Sequence, residues 1–269
     1  MNKISNHPTH YPKKSLGQNF LTDNRIRDKI IQACDLKPTD TVLEIGPGKG
    51  VLSKQIHPLV KHLIVVEKDH QLHDRLMKDF DGQTIDIIQS DILKFPFPEL
   101  AQKIILLGNI PYNISTPILE YAINNREKIK TFFMMVQLEF GQRLSAKPGS
   151  KIYGSLTCFA QFYADIQILF RVKNTCFSPA PKVESCFVRM DFLKQPRYSV
   201  ADEEKFQQFI KRSFSKRRKT ISNSLALDLP KETIIEIVKK LNLDERLRVE
   251  NLSLNDFVQI FEAAEGTNG

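Results

Sequence analysis

The sequence of 269 residues predicts an α/β protein whose mostly parallel sheet carries helices on both faces, followed by a small all-helical domain. Two observations support this fold class. Short apolar runs alternate with amphipathic stretches over the first two thirds of the chain, which is typical of strand–helix–strand units and a parallel sheet. After Gln195-Pro196 only helical spacing is found. We therefore expect one domain at 1–194 and a second at 195–269.

The predicted elements follow that order along the chain. Helical spacing occurs at Ile26–Cys34, Asp69–Phe80 and Glu139–Ala146. Apolar runs predict strands at Thr41–Ile45, His62–Glu67, Ile85–Gln89, Ile104–Leu107 and Thr131–Val136. Two further strands, Ile166–Val172 and Ser185–Phe192, are separated by a loop, which predicts antiparallel strands at one edge of the sheet. In the second domain, amphipathic helices are predicted at Glu203–Phe214, Lys231–Leu241 and Leu254–Ala264.

The composition restricts the class of protein. Lys and Arg number 39 against 31 Asp and Glu, a net charge of +8 that suits a polyanionic partner. The four cysteines lack paired spacing and are expected to be buried thiols of a reducing compartment, with no metal site. No run of 18 apolar residues and no apolar leader segment is present, so we expect a cytoplasmic protein that does not enter the membrane.

A glycine cluster predicts a nucleoside site. Gly46, Gly48 and Gly50 follow the first strand, and the missing side chains allow a ligand to approach the backbone. Glu67 ends the next strand about 20 residues after Gly46, the spacing of a carboxylate that accepts hydrogen bonds from both ribose hydroxyls. Asp91 ends the third strand, where it could accept from an adenine amino group. Individually, either acid could instead be a solvated strand end.

Two cofactors are compatible with a nucleoside site. A nicotinamide dinucleotide would favour Gly-x-Gly-x-x-Gly, whereas this chain has Gly-Pro-Gly-Lys-Gly and no evident hydride-relay pair. S-adenosylmethionine has a ribose and an adenine but no phosphates. We therefore expect S-adenosylmethionine.

The segment Gly108 to Pro117 follows a short apolar strand and predicts a site for a flat base. The side-chain oxygen of Asn109 and the carbonyl of Ile110 can accept hydrogen bonds from an amino group. Pro111 adds no competing N–H, and Tyr112 can lie against the ring. This arrangement suits methyl transfer to the exocyclic nitrogen of adenine. A simple strand, proline turn and helix N-cap at Ser115 or Thr116 is the alternative.

With these motifs, the sequence resembles the ribosomal RNA adenine N6-dimethyltransferase family, and most closely its bacterial housekeeping members. Matching segments run almost from end to end: Ser15 to Leu21, Leu43 to Gly50, Val65 to Glu67, Ser90-Asp91, Gly108 to Ser115, Gln142 to Leu144, Ala146 to Ser150, Phe177 to Ser185, and Phe214 to Leu225. The resemblance implies a Rossmann-like class I methyltransferase sheet with a helical C-terminal domain. It also implies dimethylation of two adjacent adenosines in the 3′-terminal hairpin of 16S rRNA, within the immature small ribosomal subunit and by a monomer.

The resemblance assigns roles to individual residues. It implies cofactor binding by Asn19, Leu21, Gly46, Glu67, Asp91 and Asn109. It implies that Asn109, Tyr112 and Phe177 are catalytic, the two aromatic rings stacking on the target base, although Phe177 could instead be a core residue. Two departures are Ile110, where Leu is common, and Leu138 to Gly141, where a Lys-Glu-Val-Ala-like run is more usual.

A basic run is expected to contact RNA. Arg217, Arg218 and Lys219 lie in a stretch without acidic residues, and such residues bind phosphates in a salt-dependent manner. The alternative is an ordinary solvated helix face.

Other functions remain open. The antibiotic-resistance methyltransferases of the large subunit share the Asn-Ile-Pro-Tyr motif, a non-catalytic ribosome assembly factor is also conceivable, and DNA adenine methylation is less compatible with Ile110.

Overall fold

The computed structural model describes residues 17–225 and 229–266. It divides the chain into two compact units, one formed by residues up to 138 with 168–192, the other by 139–167 with the residues from 193 onward. The predicted domain boundary at 194/195 remains a prediction. The compact units differ from it in one segment, because residues 139–167 group with the C-terminal helices.

The described residues form the following elements. The strands are β1 Phe20–Leu21, β2 Thr41–Ile45, β3 His62–Glu67, β4 Asp86–Gln89, β5 Ile104–Asn109, β6 Ile129–Gln137, β7 Ala164–Val172, β8 Phe177–Ser178 and β9 Ser185–Phe192. The helices are α1 Asn24–Cys34, α2 Ser53–Ile56, α3 His70–Asp79, α4 Ser115–Asn124, α5 Leu138–Leu144, α6 Ser155–Tyr163, α7 Glu203–Ser215, α8 Ile221–Ser224, α9 Lys231–Lys240 and α10 Leu254–Glu265.

The main sheet of the described residues has seven strands in the order β4-β3-β2-β5-β6-β9-β7. Neighbours from β4 to β6 are parallel, and β9 runs antiparallel to β6. The predicted α/β fold, with antiparallel pairing toward one edge, is confirmed. β3 pairs with one side of β2, and β5, which comes later in the chain, pairs with the other side. Open α/β sheets bind ligands at this kind of switch point, outside the carboxyl ends of the strands.

Burial explains why the central strands form here. β2, β5 and β6 are almost wholly buried, as expected when helices cover both faces of a parallel sheet. Val42, Leu63 and Leu107 contribute to one apolar cluster with the stacked rings of Phe133 and Phe187, whose centroids are 5.8 Å apart. This rigid apolar layer holds the polar strand ends in place.

A second, two-stranded sheet lies outside the main one. β1 pairs antiparallel with β8, so that Leu21 lies opposite Phe177, and the Thr22 amide donates to the Cys176 carbonyl at 2.9 Å. The sequence gives little sign of these strands, because two residues are too few for an alternating pattern. We call residues 17–22 the clasp, since this pairing fixes their position.

The second unit has an aromatic core. Phe206 lies 5.3 Å from Phe162 and 5.4 Å from Phe261, and Phe209 lies 6.0 Å from Phe257, measured between ring centroids. The three predicted C-terminal helices are confirmed as α7, α9 and α10. Phe162 also explains why α6 joins this unit, since its ring packs against Phe206 of α7.

No helix among the described residues has both the length and the apolar character that a membrane span requires. Cys34, Cys158, Cys176 and Cys186 are buried, and none of them forms a disulfide bond within the described part of the chain.

Candidate active site

A cleft opens at the carboxyl edge of the main sheet, where β2, β3 and β5 end and where Asp91 follows β4. Most of the predicted site residues line it: Asn19, Leu21, Gly46, Glu67, Asp91, Asn109 and Tyr112. Residues more than 90 positions apart in the sequence therefore meet in one crevice. Phe177 is the member of the predicted site that the structure does not bring to this cleft.

Gly46 leaves open space at the end of β2. Its φ is +61°, a conformation that side chains other than glycine rarely adopt, and a Cβ here would have no atom within 4 Å. The Gly46 amide donates to the Val66 carbonyl at 2.9 Å, which ties the turn to β3. The turn thus provides a cradle that a side chain would fill, as a closely bound ligand requires.

Glu67 is held as a buried hydrogen-bond acceptor. Its side chain accepts from the Gly48 amide at 3.0 Å and from the Asp69 amide at 2.8 Å, one on each carboxylate oxygen. Burial raises the pKa of Glu67, while these two amides oppose the rise. Each oxygen keeps a further lone pair, which suits the two hydroxyls of a ribose.

Asp91 also lines the cleft and is an ionised hydrogen-bond acceptor. The ammonium of Lys68 lies 2.8 Å from its Oδ2, and the Leu93 amide donates to Oδ1 at 3.1 Å. The hydrogen bond from Lys68 is the main reason that the pKa of Asp91 lies below its ordinary value. The charged carboxylate can still accept a bond from an amino group.

Asn109 has a defined amide orientation. Its Nδ2 donates to the Asn19 carbonyl of the clasp at 2.8 Å, so Oδ1 is the atom left to accept from a ligand. The Ile110 amide donates to the Met135 carbonyl at 3.0 Å, which fixes the backbone after β5. Asn109 and Ile110 therefore offer two acceptors within one strand end.

The clasp closes one side of the cleft. Gln18 Nε2 donates to Asp69 Oδ2 at 3.3 Å, and Asp69 also caps α3 through the Gln71 amide. Gly17 has φ +62°, and a Cβ there would lie 2.9 Å from Asn113 Oδ1. The positive φ is the main reason that glycine is favoured at this point of the clasp, since the Asn113 side-chain tip can move aside. The resemblance segment begins at Ser15, and its first two residues lie outside the described residues.

Phe177 lies in the core of the first unit. It is only 4 % exposed and belongs to the same apolar cluster as Leu107 and Phe187. Its stacking on a base stays a prediction, and this structure places its ring behind Asn109 in an apolar pocket shared with Leu21.

Glu44 is a cleft residue that the sequence analysis missed. It is only 3 % exposed, and Ser53 Oγ donates to its Oε2 at 2.5 Å. Burial raises the pKa of Glu44 to about 7. The acidic position just before the glycine turn was visible in the sequence, but only the fold shows that it is buried beside Glu67.

The predicted RNA-binding residues lie in the second unit, after α7. Arg217 Nη2 donates to the Lys151 carbonyl at 2.7 Å, and its Nε lies 3.6 Å from Glu250 Oε2. Arg217 therefore holds parts of this unit together, whereas Arg218 and Lys219 are exposed to solvent. RNA contact by these residues stays a prediction.

Comparison with known proteins identifies the family. Residues 9–265 match the Ribosomal RNA adenine dimethylase family. The chain belongs to this family. It is 37% identical over 251 residues to the Ribosomal RNA small subunit methyltransferase A of Clostridium acetobutylicum, covering 91% of this chain and 90% of that protein. It is 39% identical over 254 residues to the protein of the same name in Desulfitobacterium hafniense, covering 93% and 91%.

Solved structures agree with this assignment. A dimethyladenosine transferase from Plasmodium falciparum superposes with a TM-score of 0.78 at 26% identity, covering 90% of this chain and 95% of that one. The 23S rRNA methyltransferase ErmE gives a TM-score of 0.75 at 24% identity, covering 92% and 100%, which concerns the fold alone. The predicted class I methyltransferase fold, the enzyme class and the S-adenosylmethionine cofactor are confirmed.

The buried Glu44 predicts a pH-dependent stability. Its pKa is about 7 in the folded protein against an ordinary value of 4.5, so the unfolded chain loses this proton first as the pH rises. The free energy of unfolding therefore falls as the pH rises from about 4.5 to 7, by about 3 kcal/mol in all. Glu44→Gln keeps an acceptor for Ser53 and cannot ionise.

We expect the wild-type melting temperature to fall between pH 5 and 8 by several degrees more than that of Glu44→Gln. Thermal unfolding followed by circular dichroism measures this, with Glu120→Gln, an exposed acid on α4, as the control. Parallel curves for wild type and Glu44→Gln would contradict the assignment.

Proposed function

We propose that this protein dimethylates the N6 atoms of two adjacent adenosines in the 3′-terminal hairpin of 16S rRNA. The substrate is the immature small ribosomal subunit in the cytoplasm, and the enzyme acts as a monomer. The observation that carries this proposal is the Asn109 amide at the cleft, whose nitrogen binds the Asn19 carbonyl and leaves its oxygen to accept from a base. The family assignment and the names of the bacterial relatives support the RNA substrate.

The residues of the cleft fit the cofactor. Glu67 offers two fixed acceptors for ribose hydroxyls, Asp91 offers an ionised acceptor for the adenine amino group, and Gly46 leaves the space that the ligand needs. S-adenosylmethionine, when bound, supplies an electrophilic methyl group. The chain's part is to hold that donor and the acceptor base in line, and alignment of two reactants can contribute about 7 kcal/mol or more.

The acceptor nitrogen is activated by hydrogen bonding. The lone pair of an adenine amino group is delocalised into the ring, which makes the nitrogen a poor nucleophile. Asn109 Oδ1 and the Ile110 carbonyl can accept hydrogen bonds from the N–H groups of this nitrogen. These bonds favour a tetrahedral nitrogen whose lone pair is available for attack. The nitrogen becomes positive as it is methylated, so these oxygens stabilise the transition state more than the ground state. The product cation is acidic and can release its proton to water.

The target base must leave its stack to reach this site. Enzymes that act on a base extrude it into a pocket and hold it between aromatic or apolar side chains. Tyr112 is half-buried at the cleft and can supply one such face, at about 1–3 kcal/mol for a stacked base. Phe177 would supply the other face after moving out of the core.

Methylation of purified subunits tests the proposal. The protein is incubated with labelled S-adenosylmethionine and either undermethylated small subunits or large subunits, and the RNA is digested for nucleoside analysis. The proposal predicts N6,N6-dimethyladenosine at two adjacent positions of the small-subunit RNA. Label in the large subunit would favour the antibiotic-resistance activity, and an inactive protein that still binds small subunits would favour a purely assembling role.

The role of Asn109 predicts a selective loss of turnover. Asn109→Ala removes one acceptor from the methyl-accepting nitrogen and leaves Glu67 and Asp91 in place. We expect the methylation rate to fall by about 10²-fold or more, as when one stabilising group is removed from other active sites. The variant also loses the bond to the Asn19 carbonyl, but affinity for S-adenosylmethionine, measured by calorimetry, should fall much less than the rate, because Glu67 and Asp91 keep their places. Asn124→Ala, at the exposed end of α4, serves as the control, and wild-type turnover in Asn109→Ala would end the proposed role.

The basic run predicts a change in salt dependence. Neutralising Arg218 and Lys219 together should lower the slope of log affinity against log salt by about one for each RNA phosphate that these side chains neutralise. Filter binding of a small-subunit RNA fragment measures the slope, and Lys240→Gln on α9 is an exposed control. An unchanged slope in the Arg218/Lys219 variant would show that this surface does not contact RNA.

A further inference from the structure

The geometry points to Ser185 as a positioning residue for Tyr112, and this inference rests on the proposed function. The hydroxyl of Tyr112 lies 2.7 Å from Ser185 Oγ. This hydrogen bond fixes the direction in which the Tyr112 side chain points, so that the ring is held where the extruded adenine would enter beside Asn109.

The fold explains why Ser185 is available at this place. β9 runs antiparallel to β6, so its first residue, Ser185, pairs with Gln137 at the carboxyl end of β6. Asn109, at the carboxyl end of β5, pairs with Met135 of the same strand. The amino end of an antiparallel strand therefore lies at the sheet edge where the parallel strands present their functional side chains.

The backbone around Ser185 is fixed as well. The Leu138 amide donates to the Glu184 carbonyl at 3.0 Å, directly before β9 begins. Ser185 itself is fully buried, at 0 % exposure. A hydroxyl held in this way offers a stationary partner, and a change in χ1 that swung the Tyr112 side chain away would break the bond.

Tyr112 needs such a partner because its own segment constrains it little. It starts a short 3₁₀ turn, Tyr112–Ile114, directly after Pro111, and it is only partly buried. The hydroxyl stands at the far end of the ring from the backbone, where a change in χ1 displaces it most, so a bond there restricts χ1. A ring fixed before the base arrives loses less conformational freedom on binding.

A double-mutant cycle separates positioning from simple packing. Ser185→Ala and Tyr112→Phe each remove the same hydrogen bond, and Tyr112→Phe keeps the ring. We expect kcat/KM for the RNA to fall by about 10-fold in each single variant, the effect of losing one hydrogen bond whose partner stays buried. Because only one bond is removed, the double variant should also fall by about 10-fold, and not by about 100-fold.

Further measurements keep the test decisive. The KM for S-adenosylmethionine should stay at the wild-type value in all three variants, since no cofactor contact is assigned to Ser185. In a Tyr112→Leu background, which removes the ring, Ser185→Ala should cause no additional loss. Ser199→Ala, an exposed serine of the second unit, is the control.

Several outcomes would overturn the inference. Losses that multiply in the double variant would show that the two residues act separately. A Ser185→Ala variant that has a lower melting temperature but wild-type kcat/KM would show a structural role alone. If Ser185→Ala fails to fold, Tyr112→Phe decides by itself, and activity within twofold of wild type would refute positioning. A wild-type protein without methylation activity would instead refute the proposed function.

Discussion

The hydrogen bond from Asn109 Nδ2 to the Asn19 carbonyl is the constraint on which the site depends. An amide can present either its oxygen or its nitrogen to a ligand, and only the oxygen can accept a bond from an adenine amino group. The clasp makes this choice, and the clasp is itself held by the pairing of β1 with β8 and by the bond from Gln18 to Asp69. The orientation of the Asn109 amide thus follows from a segment far away in the sequence.

Charge is distributed in a way that suits two different ligands. The protein as a whole is basic, with a net charge of +8, yet Glu44, Glu67 and Asp91 all line the cleft. The cleft is lined by these carboxyl groups together with Lys49 and Lys68, and the carboxyl groups favour a cofactor that carries a sulfonium charge, whereas exposed Arg218 and Lys219 favour a polyanion. Lys68 lies in the cleft beside Asp91 and keeps this carboxyl group ionised. The space beside Gly46 stays open.

The sequence predicts those parts of the molecule that carry a local pattern. β2 and β3 have the predicted bounds, because each is a buried apolar run that ends at a glycine turn or an acid. β1 and β8 are too short to show a period, and Ser155–Tyr163 has apolar residues all round, so neither the clasp sheet nor α6 was recognisable. The position of Gly46, Glu67 and Asp91 at the cleft could be predicted from strand ends, whereas Asn19 and Leu21 were predicted from the family resemblance alone. The burial of Phe177, the internal bonds of Arg217 and the contact between Ser185 and Tyr112 depend on tertiary packing, which no single segment encodes.

A crystal structure of the protein with S-adenosylhomocysteine and adenosine tests the central claim most directly. The account predicts that Asn109 Oδ1 and the Ile110 carbonyl lie about 3 Å from the adenosine N6 atom, while Asn109 Nδ2 remains bound to the Asn19 carbonyl. The ring of Tyr112 should then lie against the base. An adenosine bound elsewhere, or an Asn109 side chain turned away from both the Asn19 carbonyl and the base, would contradict it.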